Sequence, residues 1–226
     1  MNMTLNPTEL KMTSPVATRR VNDAATRTFH WLFAFSFIGA YLTADFERLR
    51  GVHVTLGYTM LGLLGFRIVW GLVGPKHVRF KLLFGKLSGL HAWVVATRKA
   101  SSLQAIGWKQ GQNLLIALTV LSLLVLVLPL VGSGYLVNND LGGKFIEGAH
   151  EFFGELYLWS VVLHLALIAL ISMLRRRNMA SPMLTGQIPG PGPDLVRSEQ
   201  RVWAVLLMLG CASWWIWSLV RCVDAL

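Results

Sequence analysis

The chain has 226 residues, of which 54% are hydrophobic and only 14% are charged, whereas soluble domains carry roughly 25% charged residues. This much apolar surface excludes a disordered chain and argues against an ordinary soluble domain. The formal net charge is +10, which in a soluble protein would raise the question of nucleic acid binding. Here the basic residues fall between apolar runs. That pattern indicates membrane topology, with lipid as a partner and no nucleic acid.

Five apolar runs approach the roughly 20 residues that a membrane-spanning helix needs. In chain order they are residues 29–44, 52–73, 113–131, 149–174 and 202–220. Each run is predicted to form a transmembrane helix. The sequence therefore predicts an all-α integral membrane protein with four core helices and a fifth, C-terminal one.

Proline and glycine divide the chain between the fourth and fifth helices. The stretch IPGPGP, which begins at Ile188, is typical of a stiff linker. We therefore expect one unit over residues 1–188, containing the N-terminal tail and the four-helix core. Residues 189–226 would form the linker and the fifth transmembrane helix. A further apolar segment, residues 80–95, is interrupted by basic residues and is interpreted as an interfacial amphipathic piece.

The distribution of lysine and arginine predicts the orientation in the membrane. Sixteen of them lie in the N-terminal tail, in the loop between the second and third runs, and after the fourth run. Only four lie in the connections on the other side. The positive-inside rule then places the N-terminus of a multi-pass membrane protein in the cytoplasm and its C-terminus on the outer side.

Four histidines fall on the predicted membrane helices at two depths. His150 lies near the outer end of the fourth helix, and His164 follows fourteen residues later, about 21 Å deeper on the same face. His53 begins the second helix and matches the depth of His150. His30 lies in the inner part of the first helix and matches His164. The histidines therefore sort into an outer pair, His53 with His150, and an inner pair, His30 with His164.

Histidine pairs that join two helices suit low-spin haem b, whose iron takes an imidazole on each face. Two haem b groups at these depths would place their irons about 20 Å apart, in a four-helix dihaem bundle. Alternatives remain open at this stage. A lone membrane histidine can simply hydrogen-bond a neighbouring helix, and four converging histidines would suit zinc or copper. A haem-free membrane transport or structural protein is the corresponding rival function.

Three further residues are candidates for the cofactor site. Gly57 and Gly154 follow His53 and His150 by four residues on the same helix face, where a missing side chain leaves room for a flat ring. Glycine is also common in membrane helices for other reasons. Arg67 lies at the depth of the inner pair and could bind a haem propionate or extend to the inner surface.

An ordered set of motifs resembles the bacterial cytochrome b561 family, and especially the cytochrome b subunit of nickel-iron hydrogenases. The motifs are RTFHW around His30, HVTLGY from His53, FRIVWGLVGPKHVRF from Phe66, HEFFG from His150, VLH ending at His164 and MLTG from Met183. Together they cover roughly residues 19–187. The resemblance implies two b haems held by the four paired histidines.

The resemblance also implies electron transfer between the quinone pool and a periplasmic redox protein, either a c-type cytochrome or a hydrogenase-like protein. Many hydrogenase subunits carry a GHNP motif that residues 107–113 lack, so a dedicated hydrogenase is not indicated. A superoxide:quinone oxidoreductase is the alternative function, with Arg48, Arg50 and Lys144 as its cationic mouth. The sequence therefore predicts an electron-transfer subunit or a quinone oxidoreductase. It would act alone, as a homo-oligomer or within a larger complex.

Overall fold

The computed structural model describes residues 17–99, 101–102 and 107–224. Residues 1–16 of the predicted tail, with Lys11, lie outside this described part. Two short strands, β1 and β2, span Thr18–Arg20 and Gln187–Pro189. The helices are α1 Ala24–Thr43, α2 Arg50–Val73, α3 Phe80–Leu87, α4 Leu90–Arg98, α5 Trp108–Asn138, α6 Gly143–Arg175, α7 Ser181–Leu184 and α8 Arg201–Asp224.

Each of the five predicted apolar runs lies in a long helix. Within the described residues, four helices are long and apolar enough to cross a membrane: Glu47–Val73, Trp108–Asn138, Gly143–Arg175 and Arg201–Arg221. The first run, residues 29–44, lies in α1, which has 20 residues but is outside this group. Its first turns carry Arg27 and two threonines, which shorten the apolar part. The crossing of the membrane by α1 stays a prediction.

The long helices form two antiparallel pairs. α1 packs against α2, and α5 packs against α6, while α2 and α5 join the pairs along one side. Glycine allows close approach in the first pair, because a Cβ on Gly39 would lie 2.7 Å from Leu56 Cδ1. In α6 only Tyr157 and Ile171 are buried. Phe153 and Val161 are partly buried against the core, while apolar side chains such as Leu163 and Leu165 are exposed, as expected where lipid replaces water as the solvent.

α8 packs on the outside of the first pair, against α1 and α2. Two of its tryptophans donate hydrogen bonds to α2, Trp214 Nε1 to the Thr55 carbonyl (3.3 Å) and Trp215 Nε1 to Thr59 Oγ1 (2.9 Å). Near the opposite end, the Trp203 ring contacts Trp70. α8 therefore runs parallel to α1 and belongs to the bundle.

The predicted amphipathic segment forms two short helices, α3 and α4, instead of one. Both pack against α5. A Cβ on Gly111 would lie 2.4 Å from the Trp93 ring, and one on Gly71 would lie 2.4 Å from the Phe80 ring. These glycines let the two helices approach the long helices closely.

The linker after α7 is fastened to the start of α1. β2 pairs with β1 in antiparallel register, with Arg19 opposite Ile188. Asp194 Oδ1 accepts a hydrogen bond from the Arg20 amide (2.7 Å). Glu199 forms salt bridges with Arg20 (3.4 Å) and Arg27 (3.3 Å). The predicted boundary between residues 188 and 189 thus falls inside β2, and the linker packs on the four-helix part of the chain.

Candidate functional site

The outer pair, His53 and His150, is brought together by α2 and α6. The two ring centroids are 6.0 Å apart, and the ring planes are perpendicular. His53 Nδ1 lies 2.8 Å from the Ala40 carbonyl oxygen, and His150 Nδ1 lies 3.1 Å from that of Leu130. A carbonyl oxygen only accepts, so each ring donates from Nδ1 and keeps the lone pair on Nε2.

The hydrogen bond of His53 follows from local helix structure. Ala40 is in the last turn of α1, whose carbonyls have no backbone partner within the helix. The Thr43 hydroxyl donates to the Ala40 carbonyl (3.2 Å), and His53, at the start of α2, is its second donor. The pairing of a ligand histidine with a backbone carbonyl through its second nitrogen is the usual way in which proteins orient metal ligands.

The spacing of the outer pair fits a shared iron. A metal–imidazole bond of about 2 Å, with about 1 Å from ring nitrogen to ring centre, gives about 6 Å between centroids for two ligands on opposite faces. The observed centroid distance is 6.0 Å. The donor set therefore fits a haem iron held by two neutral imidazoles.

Two residues of α5 that the sequence analysis did not select help to place His150. Ser133 Oγ lies 3.2 Å from its Nδ1. A Cβ on Gly134 would lie only 2.9 Å from its Cε1 atom, so only glycine lets the ring approach α5 so closely. The sequence signal was the run of small residues GSG, residues 132–134, within a helix rich in leucine and valine.

The inner pair, His30 and His164, lies on α1 and α6. Both Nδ1 atoms are buried without a hydrogen-bond partner among the described residues. A buried polar atom left in this state costs about 1–3 kcal/mol. Two such atoms on two helices fit a site whose ring nitrogens bind a metal.

A packed apolar layer separates the two pairs. Phe37, Met60 and Tyr157 are the residues seven positions after His30, His53 and His150, and Tyr157 also precedes His164 by seven. Seven residues are almost two helical turns, so each lies about 10 Å along its helix from a histidine and on the same face. All three are buried in one core cluster, and the Phe37 and Tyr157 ring centroids are 4.7 Å apart.

The four histidines do not converge on one cluster. Among the residues that the structure describes, no group of three or more His, Cys, Asp or Glu side chains comes together. This arrangement counts against the zinc or copper alternative, because that alternative requires the histidines to converge at one depth.

The other predicted site residues lie as follows. A Cβ built on Gly57 or on Gly154 would meet no heavy atom within 4 Å. Arg67 Nη1 donates to the Val78 carbonyl (3.2 Å), and its guanidinium lies 4.7 Å from the centre of the Phe80 ring. Arg67 thus has partners within the protein. The roles of these three residues towards a haem stay predictions.

A buried hydrogen-bonded pair near Arg67 was missed by the sequence analysis. His77 Nε2 lies 2.8 Å from Asp23 Oδ2. The other oxygen of Asp23 accepts from the Thr26 amide (2.7 Å) and caps α1. Asp23 is completely buried, so the pair fastens the loop after α2 to the start of α1. The GPKH sequence after α2 is the only signal that could have drawn attention to it.

Bundled apolar helices with buried histidines in pairs define a membrane protein built to hold a cofactor. A family model described as prokaryotic cytochrome b561 matches residues 21–186. The match includes all four histidines and most of the chain, so the chain belongs to the prokaryotic cytochrome b561 family. No curated protein and no solved structure is significantly similar to it.

Membership of this family gives the chain its general class. It is a bacterial multi-pass membrane protein, and the family implies electron transfer in the membrane and binding of haem b. The linker after Pro189 and helix α8 lie beyond the matched residues.

Proposed function

We propose that this protein is a dihaem b-type cytochrome that transfers electrons between membrane quinone and a periplasmic redox protein. His53 and His150 would hold one haem, and His30 and His164 the other. The observation that carries the proposal is the outer pair, whose separation and carbonyl anchors suit two axial ligands. The haems supply reversible one-electron chemistry when bound.

The chain's own residues fix the outer ligands before any cofactor binds. The Ala40 and Leu130 carbonyls accept from the Nδ1 atoms of His53 and His150. Each ring is thereby held in one tautomer, and the hydrogen bond makes the ligating nitrogen more basic. Gly134 gives His150 the room to adopt this position.

The apolar layer of Phe37, Met60 and Tyr157 would separate the two cofactors. These side chains are at most 7% exposed, so they exclude water from the space between the two pairs. Separate sites about 21 Å apart in depth would let electrons cross the membrane in two steps through a dry interior.

The proposed orientation of the protein in the membrane rests on the distribution of charge. The excess of lysine and arginine at the His30 and His164 end supports a cytoplasmic N-terminus. The outer pair would then face the periplasm, where a c-type cytochrome or a hydrogenase-like protein could exchange electrons. The haem held by the inner pair would exchange electrons with quinone.

The deciding experiment is a reduced-minus-oxidised spectrum of the purified protein, with haem counted per chain. We expect b-type bands and two haems. His150→Ala and His164→Ala should each lose one haem and keep the other, because each removes a ligand from one pair only. His91→Ala is the matched control, since His91 lies exposed on α4 and should keep both. A wild-type spectrum without b-type bands would overturn the proposal in favour of a haem-free transport or structural protein.

A superoxide:quinone oxidoreductase is the second candidate. It is favoured by the position of Arg48 and Arg50, which are exposed just before His53 at the outer end of the bundle. Cationic side chains there would attract the superoxide anion. Superoxide added to the oxidised protein should then reduce its haem, more slowly in the Arg50→Glu variant. Absence of haem reduction by superoxide would exclude this activity and leave the electron carrier.

A further inference from the structure

The two short helices α3 and α4 carry a concentration of positive charge that the proposed electron transfer does not use. The basic segment, residues 76–99, contains six lysines and arginines, all of them exposed: Lys76, Arg79, Lys81, Lys86, Arg98 and Lys99. The sequence has no aspartate or glutamate between Glu47 and Asp140. The basic segment is therefore cationic without an acidic residue in its own stretch of chain.

The rest of the described protein does not neutralise this charge. Within the described residues, none of the six cations forms a salt bridge. Asp23, which contacts the segment through His77, is completely buried. The basic residues at the start of α1 differ, because Arg20 and Arg27 are both paired with Glu199. The basic segment thus presents positive charge that can meet an anionic partner.

The basic segment lies at the level where the long helices end. The Phe80 ring packs against Gly71 in the last turn of α2, and the Trp93 ring packs against Gly111 in the first turn of α5. Trp93 Nε1 also donates to the Gly107 carbonyl (3.1 Å). Because the ends of membrane-spanning helices lie among the lipid headgroups, these contacts place α3 and α4 in the headgroup layer.

The same contacts leave apolar side chains on the outside of both helices. Leu82 is 51%, Phe84 55% and Leu90 41% exposed, and Lys81 and Lys86 lie beside the first two in the sequence. Exposed leucine and phenylalanine next to lysine are typical of helices that lie in the membrane interface. This combination favours a lipid over a soluble acidic macromolecule, because acyl chains cover the apolar groups while phosphates meet the charges.

We propose that the basic segment is a binding surface for anionic phospholipid, in the leaflet at the end of the bundle that holds the inner histidine pair. Lys81 and Lys86 meet the lipid phosphates, and Leu82 and Phe84 contact the acyl chains. The proposal uses none of the four paired histidines, so it goes beyond the proposed function and does not depend on the haems.

Lipid binding to the purified full-length protein in a neutral detergent tests the surface. Phosphatidylglycerol or phosphatidylcholine with the same acyl chains is added, and bound lipids are counted by native mass spectrometry. We expect phosphatidylglycerol to bind about tenfold more tightly, because only its headgroup carries a net negative charge. It should also slow amide hydrogen exchange in residues 80–98. Equal binding of the two lipids, or protection only outside these residues, would overturn the inference.

A matched pair of double variants locates the binding. Lys81→Gln/Lys86→Gln removes two charges from α3, whereas Arg176→Gln/Arg201→Gln removes two exposed charges outside the basic segment. Each basic residue near an anionic surface strengthens binding about fivefold, so we expect phosphatidylglycerol to bind about 20-fold more weakly to the α3 variant alone. Equal affinities of the two variants would overturn the inference. If the α3 variant does not fold, hydrogen exchange in the wild-type protein decides.

Two competitors distinguish a lipid from other anions. Glycerol 3-phosphate has a phosphate but no acyl chains, and we expect it to leave phosphatidylglycerol bound at equal concentration. Its displacement of the lipid would indicate a site for a free phosphate compound and overturn the inference. Binding of polyglutamate without any preference for phosphatidylglycerol would indicate an acidic macromolecule and do the same. The haem spectrum tests the proposed function separately, since none of these measurements reads a haem.

Discussion

The outer and inner histidine pairs differ in how the protein holds them. Each outer ring donates from Nδ1 to a backbone carbonyl, and His150 also has Ser133 beside it. Both inner rings have buried Nδ1 atoms without partners in the described residues. Hydrogen bonds from the polypeptide thus orient the outer rings, whereas the inner rings have no such bond at Nδ1. We expect substitutions around the outer pair to act through ring placement, and those around the inner pair to act through the surrounding helix ends.

The largest effect should come from the layer that both pairs share. Tyr157→Ala removes a side chain that is 2% exposed and packs on Phe37. We expect a loss of about 3 kcal/mol of stability and weaker haem retention at both sites, measured by thermal unfolding and by haem content. Trp159→Ala, on the exposed face of α6, is the control. Loss of haem from only one site would show that the layer of Phe37, Met60 and Tyr157 does not support both sites.

The next largest effect should be weaker haem binding at the outer site alone. Gly134→Ala places a Cβ 2.9 Å from the His150 ring, whereas Gly132→Ala meets no atom within 4 Å. We expect Gly134→Ala to weaken outer haem binding by about 1–3 kcal/mol and to leave the inner haem unchanged, as read from redox titration of the two b haems. Equal behaviour of the two variants would contradict the close placement of His150 against α5.

A smaller effect should be lower thermal stability at the inner haem site. Asp23→Ala removes the cap of α1 and the partner of His77, and we expect a cost of about 2 kcal/mol. The inner haem should be lost at a lower temperature than in the wild type, while the outer haem is retained as before. Asp45→Ala, in the exposed loop after α1, should change neither. Thermal melts followed in the haem bands measure this difference.

The smallest effect should be a change of potential at the outer site. Ser133→Ala removes one polar neighbour of His150 but keeps the Leu130 carbonyl. We expect a cost of about 1 kcal/mol or less and a shift in the midpoint potential of the outer haem only. A shift of the inner haem instead would reverse the assignment of the two sites.

Much of this architecture could be predicted from residues alone. The apolar runs gave the five long helices, because a run of that length has few other ways to bury its backbone in lipid. The spacing of fourteen residues between His150 and His164 predicted two depths on one face, because helix rise and pitch are fixed. α1 begins at Ala24, five residues before the first apolar run, and its crossing of the membrane stays a prediction.

Other features depended on contacts between distant segments. Gly57 and Gly154 stood out by their spacing from histidines, yet the close approach to a ring occurs at Gly134 on another helix. Arg67 was predicted from its depth, but its contacts are Val78 and Phe80. The buried pair of Asp23 and His77 joins residues 54 positions apart. No periodicity within one helix reports such contacts.

The sequence by itself determined which segments form the long helices. It also predicted how deep each histidine lies and which histidines match in depth, because rise and pitch are fixed within one helix. Only the tertiary structure decided which carbonyl each outer ring meets, which glycine makes room for His150, and that α8 lies along α1. These outcomes depend on how each helix is rotated and packed against its neighbours, and that is set by many side chains acting together.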